Sequence, residues 1–335
     1  MASASAETAV ITSQSFQGDK PFVSRLLQAT TRFARSKPLG AFGAAMLILI
    51  IVVGIFSPWI AKDSVLQANL GDSLQGPTAE HWFGTDWNGR DLYSRIVYGA
   101  QVTALVGLGT VLFVIVLSLL VGVTSGYFGG KLDVIVQRVV DIWLSFPAIF
   151  LILTLLAVLN VHPGTSGFFG LGRGPSVGPN PNGGEWFWYT FPRTTIVILA
   201  LGLVLAGGAS RVVRGAVLST KANPYVEAAT VVGANNYRII TRHIVPNIMP
   251  TVIVLASLQL GAAILAEATI SFLGQGVTNF PTWGQMLSGR TQELAEGHPY
   301  LAIVPGIAIF LAVFGFNMLG DALRDVLDPR LRGSR

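Results

Sequence analysis

Apolar residues run in six long blocks, at residues 39–61, about 100–127, 142–159, 194–210, 251–273 and 301–320, and polar or charged stretches separate them. Each block has about 17 residues or more, enough to cross the hydrocarbon of a bilayer. No water is available there to satisfy backbone N–H and C=O groups, so each block must pair them internally and predicts a transmembrane helix. The fourth block is the shortest, and its helix is open to continue past Arg211. The fold class this pattern gives is an all-α integral membrane protein with six transmembrane helices.

Lys and Arg fix the expected orientation, because segments on the cytoplasmic side retain them. With the N-terminus inside, sixteen of the 22 basic residues fall on the cytoplasmic side: Lys20, Arg25, Arg32, Arg35, Lys37, Lys131, Arg138, Arg211, Arg214, Lys221, Arg238, Arg242, Arg324, Arg330, Arg332 and Arg335. The other six, Lys62, Arg90, Arg95, Arg173, Arg193 and Arg290, face outward. Both termini are therefore expected in the cytoplasm. The division of the chain follows: a tail at 1–38, a first helix and outer loop at 39–98, a five-helix core at 99–321 with a cytoplasmic segment at 211–250, and a second tail at 322–335. The first apolar block is long enough to span and follows 38 mostly polar residues, so it reads as a retained helix and not as a secretory signal. Residues 21–37 place Phe22, Leu26 and Phe33 near one face with Arg25 and Arg32 elsewhere. That pattern suits an interfacial helix, and a disordered tail stands as the alternative.

Composition agrees with a membrane protein: 51% of residues are hydrophobic and 12% charged. The net charge of +5 follows the inner membrane face and forms no single patch, which argues against nucleic-acid binding. Zero cysteines exclude disulfides and thiol chemistry. The four histidines, His81, His162, His243 and His298, lie in four separate extramembrane segments, which argues against a histidine-based metal or catalytic cluster. Gly174 to Gly178 matches GxSxG, but in a Gly/Pro-rich loop that pattern lacks the strand-to-helix turn that gives it meaning. No phosphate-binding GxxxxGK[ST] run occurs, so the sequence offers no nucleotide-hydrolysing motif of that kind. Gly122, Gly126 and Gly130 recur every four residues and predict a close-packing helix face, toward this chain or a partner. The loop at 62–96 is expected to form an ordered cap or a passive connector. The insertion at 162–188 ends in aromatics suited to the membrane interface.

The segment 211–250 patterns as two short helices, with Asn223 placed to cap a helix that Pro224 starts and Gly233 stops. Within it, Glu227, Ala228 and Ala229 are followed by Gly233 and, thirteen residues later, by Pro246. The run EAATVVGANNYRIITRHIVPN resembles the coupling loop of the integral membrane subunits of ABC importers, although Val245 and His243 stand where Leu and Ile are common. FGTDWNGRDLYSRIVYGA, SFLGQGV, PTWGQML and FNMLGDALRDVLDP are similar to the peptide/nickel-transport branch of that family. The insertion at 162–188 departs from its compact form.

That resemblance implies a type I importer permease in the plasma membrane of a prokaryote, itself not an enzyme. Its partners would be a second homologous permease, two cytoplasmic ATPase subunits that hold the ATP and Mg, and an extracytoplasmic substrate-binding protein. The cargo would be di- or oligopeptides, with nickel chelates, glutathione or sugars as alternatives. It assigns Glu227, Ala228, Ala229, Gly233 and Pro246 to ATPase coupling. Glu267, a carboxylate inside the fifth block, must face protein or the substrate path, because facing lipid would be costly. An ion-coupled secondary transporter is the rival from another class, and Glu267 is the one clear intramembrane carboxylate it could use.

Overall fold

A computed structural model describes residues 22–63, 65, 68–159, 186–277, 280–288 and 297–327, and helices make up most of them. In chain order these are α1 (Phe22–Ser36), α2 (Pro38–Ile55), α3 (Ser57–Ile60), α4 (Leu92–Phe128), α5 (Gly130–Ser145), α6 (Ala148–Leu159), α7 (Trp186–Lys221), α8 (Pro224–Val231), α9 (Asn236–Ile239), α10 (Val245–Phe272), α11 (Trp283–Leu287) and α12 (Tyr300–Leu327). A five-residue π-helical segment, Ile240–Ile244, joins α9 to α10. Five helices among the described residues are long and apolar enough to cross a membrane, and α5 with α6 makes a sixth if that bent pair counts as one span.

The predicted third span at 142–159 needs correction. Instead of one straight helix, α5 begins at Gly130, and α6 leaves it at 94°. Pro147 is the cause: it has no N–H for the helix ladder and drives the preceding residue out of helical geometry. Phe146 accordingly sits in extended backbone at φ −82°, ψ 137°. The first predicted span, 39–61, is also interrupted, because α2 ends at Ile55 and α3 starts at Ser57, whereas three other helices outrun their apolar blocks. The second starts at Leu92, where Asp91 caps it by accepting the Ser94 N–H at 2.8 Å. The fourth runs past Arg211 to Lys221, and the sixth extends to Leu327.

Two ends of the bundle can be told apart. At one, Lys37 pairs with Asp325 at 2.5 Å, and Lys221 donates to the carbonyl of Tyr127 at 2.6 Å. That end, the tail end, carries the N-terminal helix and α8–α9. Arg214 grips Asp133 with two hydrogen bonds of 2.6 and 2.5 Å there, and Arg211 pairs with Asp141, so α5 is fastened to α7. At the other end, residues 68–91 fold into an ordered cap. The Tyr300 hydroxyl donates to Gln75 O at 3.0 Å, and the Trp283 indole donates to Ile96 O at 3.0 Å. Lys62 lies over the Trp82 ring at 3.6 Å.

Helix α4 packs along α7, while α12 lies between α2 and α10. Gly122 and Gly126 make the first contact close: a Cβ at Gly122 would sit 2.7 Å from Ser210 O and 2.8 Å from the Val213 Cβ. This glycine face therefore packs within the chain. Gly130 takes no part in it; its φ is +58° and a Cβ there would meet nothing within 4 Å. Helix α1 forms where the sequence allowed either an interfacial helix or a disordered tail. The GxSxG run, His162, Arg173, Arg290 and residues 162–185 of the insertion lie outside the described residues.

Candidate coupling surface

Helix α7 ends at Lys221, and a short turn reverses the chain. Asn223 takes the extended backbone of a helix-capping position, but its side chain does not cap α8. Its amide instead donates to Ser219 O at 3.3 Å and Thr220 O at 2.9 Å, closing the end of α7. Pro224 supplies the first residue of α8 and leaves one fewer backbone donor needing a cap. After α8, Gly233 turns the chain with φ +88°, the left-handed conformation its position predicted. Asn235 then provides the true side-chain cap, accepting the Arg238 N–H at 2.8 Å.

The result is a hairpin with two unlike faces. Inward, Val226, Ile239 and Ile244 are buried with Val123, Tyr127, Val213, Val217, Ile248 and Val252, which anchors the hairpin to the ends of α4, α7 and α10. Outward, Glu227 and Ala228 are exposed and Ala229 is half-buried. Pro246, in the first turn of α10, is exposed as well. Glu227, Ala228, Ala229 and Gly233 thus share one short projection, and Pro246 stands at the base of the helix that carries it.

Sequence reasoning passed over Val231 and Val232, which are 86% and 88% exposed at the tip, and Tyr237, 77% exposed beside them. Two consecutive bare valines cost solvation free energy unless another surface covers them. The available signal was their place: apolar residues just before a helix-stopping glycine in an otherwise polar segment.

Glu267 lies elsewhere, toward the cap end of α10. It is 2% exposed; Ser271 Oγ donates to its Oε1 at 2.6 Å, and the Thr282 side chain also hydrogen-bonds to it. Thr282 in turn caps α11 by accepting the Gln285 N–H at 3.1 Å. The carboxylate therefore fastens α11 to α10.

The cap holds a further polar cluster. His81 Nδ1 lies 3.1 Å from Asp91 Oδ1, and Asp63 joins them, so His81 has carboxylate company although no other histidine shares its segment. Asp91 is already committed through its second oxygen to the Ser94 N–H and hydroxyl. Asp86 sits 3.7 Å from Arg95 Nε and accepts the N–H groups of Asn88 and Arg90. These groups shape the loop that rides on the start of α4.

The sequence that builds this bundle and hairpin is similar to those of known proteins. The dipeptide transport system permease protein DppC of Alkalihalophilus pseudofirmus is 36% identical over 311 residues, covering 92% of this chain and 91% of its own. The probable D,D-dipeptide transport system permease protein DdpC of Escherichia coli is 35% identical over 92% of this chain and 96% of its own. The glutathione transport system permease protein GsiD of Escherichia coli is 33% identical over 89% of each. Residues 115–333, which include α7, the hairpin and α10, match the model of a family described as binding-protein-dependent transport system inner membrane component. The chain belongs to that family of multi-pass permeases.

Proposed function

We propose that this chain is one of two permease subunits of an ATP-driven importer and forms half of the path taken by di- and oligopeptides. An extracytoplasmic binding protein delivers the cargo, and two separate cytoplasmic ATPase subunits hold ATP and Mg and carry out hydrolysis. The observation that carries this reading is the α8–α9 hairpin: small side chains, one carboxylate and two bare valines project from a base that is buried in the bundle. Small residues let a helix sink into a groove on another protein, and Glu227 offers a charge for pairing. Glu227, Ala228, Ala229, Gly233 and Pro246 are assigned to that docking.

In this reading the tail end is cytoplasmic, supported by the sixteen-to-six division of basic residues, and the cap faces outward. Closure of the ATPase dimer moves the two hairpins. Each permease responds as a packed body, and the pair alternates between inward- and outward-open states. The enclosed position of Glu267 supports a role in holding α11 in place over one on the substrate path. Placement of the insertion at 162–188 against the binding protein or the outer gate belongs to the same proposal, on its length and position.

Peptide is preferred to glutathione on the names of the relatives, and one experiment separates them. The chain is reconstituted with its permease partner, ATPases and binding protein, and uptake of labelled dipeptide is competed with unlabelled dipeptide or glutathione. Competition by glutathione alone would replace the peptide assignment. ATPases that fail to co-purify with the permeases, or uptake that stops with an uncoupler and ignores ATP, would overturn the importer reading and favour an ion-coupled carrier.

A further inference from the structure

Three elements meet at Tyr127, the penultimate residue of α4. Its hydroxyl donates to Asn236 Oδ1, at the start of α9, at 2.9 Å. Lys221, the last residue of α7, donates to Tyr127 O at 2.6 Å, and its Nζ stands 5.3 Å from the centre of the same ring. Tyr127 is buried, whereas Asn236 belongs to the exposed side of the hairpin.

The two kinds of contact at the base of the hairpin do different work. The apolar cluster of Val226, Ile239 and Ile244 against Val123, Val213 and Val217 holds the hairpin on, but apolar attraction is non-directional and lets surfaces slide. A hydrogen bond weakens steeply when its angle or length is lost, so it fixes a heading. Tyr127 and Asn236 form such a bond between residues 109 apart in sequence. Helix α4 then runs 37 residues to the cap, about 55 Å at 1.5 Å per residue.

We propose that Tyr127 and Asn236, with Lys221 bracing the ring, are positioning residues that make α4 follow the hairpin, so that motion of the docking surface reaches the outer cap through this helix. This rests on the hairpin being the ATPase docking surface. Asn236 would act through Tyr127, without touching substrate or nucleotide.

Tyr127→Phe removes the hydroxyl and keeps the ring under Lys221, Asn236→Ala removes the acceptor, and Asn236→Asp retains one. Each is reconstituted with the partner permease, ATPases and binding protein, and peptide taken up per ATP hydrolysed is measured. For Tyr127→Phe and Asn236→Ala, the ATPases are expected to co-purify and to hydrolyse ATP under binding-protein stimulation, while uptake per ATP falls about 3- to 10-fold, the scale of one lost hydrogen bond. Asn236→Asp is expected to stay within about twofold of the parent, and the double variant to be no worse than either single one, since both remove the same bond. A purely structural role would lower assembly and uptake together and leave the ratio unchanged. Uptake per ATP within about twofold of the parent in Tyr127→Phe, or losses that multiply in the double variant, overturns the proposal. If Tyr127→Phe does not assemble, the Asn236 pair decides: equal ratios for Ala and Asp overturn it, and loss in Ala alone supports it. Failure of the docking assignment shows differently, as unchanged association and stimulation when Ala228 is made bulky, and it would remove this proposal too.

Discussion

Gly233 allows backbone conformation and partner fit to be separated by the order of two variants. Its φ of +88° lies where a residue with a Cβ is strained, yet a Cβ built there would meet nothing within 4 Å in this chain. Alanine therefore costs about 1–2 kcal/mol from backbone alone, with no internal clash to add. Asparagine tolerates the left-handed region better, because its short polar side chain bonds locally, although it is the larger residue. If the turn governs docking, Gly233→Ala is expected to weaken ATPase binding by up to about 30-fold and Gly233→Asn by clearly less. If the partner fills the space beside Gly233, the order reverses, because the larger side chain suffers more from overpacking. The assay is binding of the purified ATPases to the permease in nanodiscs, with thermal unfolding as a check that the bundle is intact. Equal affinities for glycine, alanine and asparagine would refute both arguments and remove Gly233 from the docking surface.

Gly122→Ala is expected to destabilise the bundle by about 1–3 kcal/mol, because the new methyl would press on Ser210 O and Val213. Gly215→Ala, in open space on α7, should be neutral or stabilise by about 0.4–1 kcal/mol; unfolding midpoints in detergent that rank the two in reverse would contradict the packing account. Glu267→Gln is expected to retain assembly and uptake, whereas Glu267→Leu strands the hydroxyls of Ser271 and Thr282 and costs about 1–3 kcal/mol, so an assembled but transport-dead Gln variant would put Glu267 on the substrate path. The cysteine-free chain suits single-cysteine labelling: in intact cells an impermeant reagent should reach Trp87→Cys in the cap and spare Glu227→Cys, and labelling at position 227 would invert the topology.

Spanning segments were legible because length and hydropathy decide them, and both are local. Their ends were not. Residues 92–99 carry Tyr93, Ser94 and Arg95, which read as loop, yet Asp91 caps them and the cap buries Arg95, so α4 starts eight residues early. The break in the third span was readable at Pro147, but hydropathy alone ran through it. At the hairpin, Glu227, Ala228, Ala229 and Gly233 stood out as a motif, and Gly233 took its expected conformation. Asn223 and Asn235 look alike in sequence; which of them caps depends on whether the side chain finds free N–H groups ahead or free carbonyls behind. Pairings such as Tyr127 with Asn236 or Tyr300 with Gln75 join residues far apart in the chain, and no local pattern announces them.

The length of α4 also bears on how the protein meets its lipid. A straight helix needs about 20 residues to cross hydrocarbon some 30 Å thick, and α4 has 37, more than one crossing requires. One end is held by Asp91 and the cap and the other by Lys221, so protein contacts fix where the helix stops. Most spanning helices answer a thinner or thicker bilayer by shifting the residues at their interfaces. Helix α4 has length to spare, so hydrophobic mismatch bears first on the shorter α2, whose 18 residues come close to a single hydrocarbon thickness.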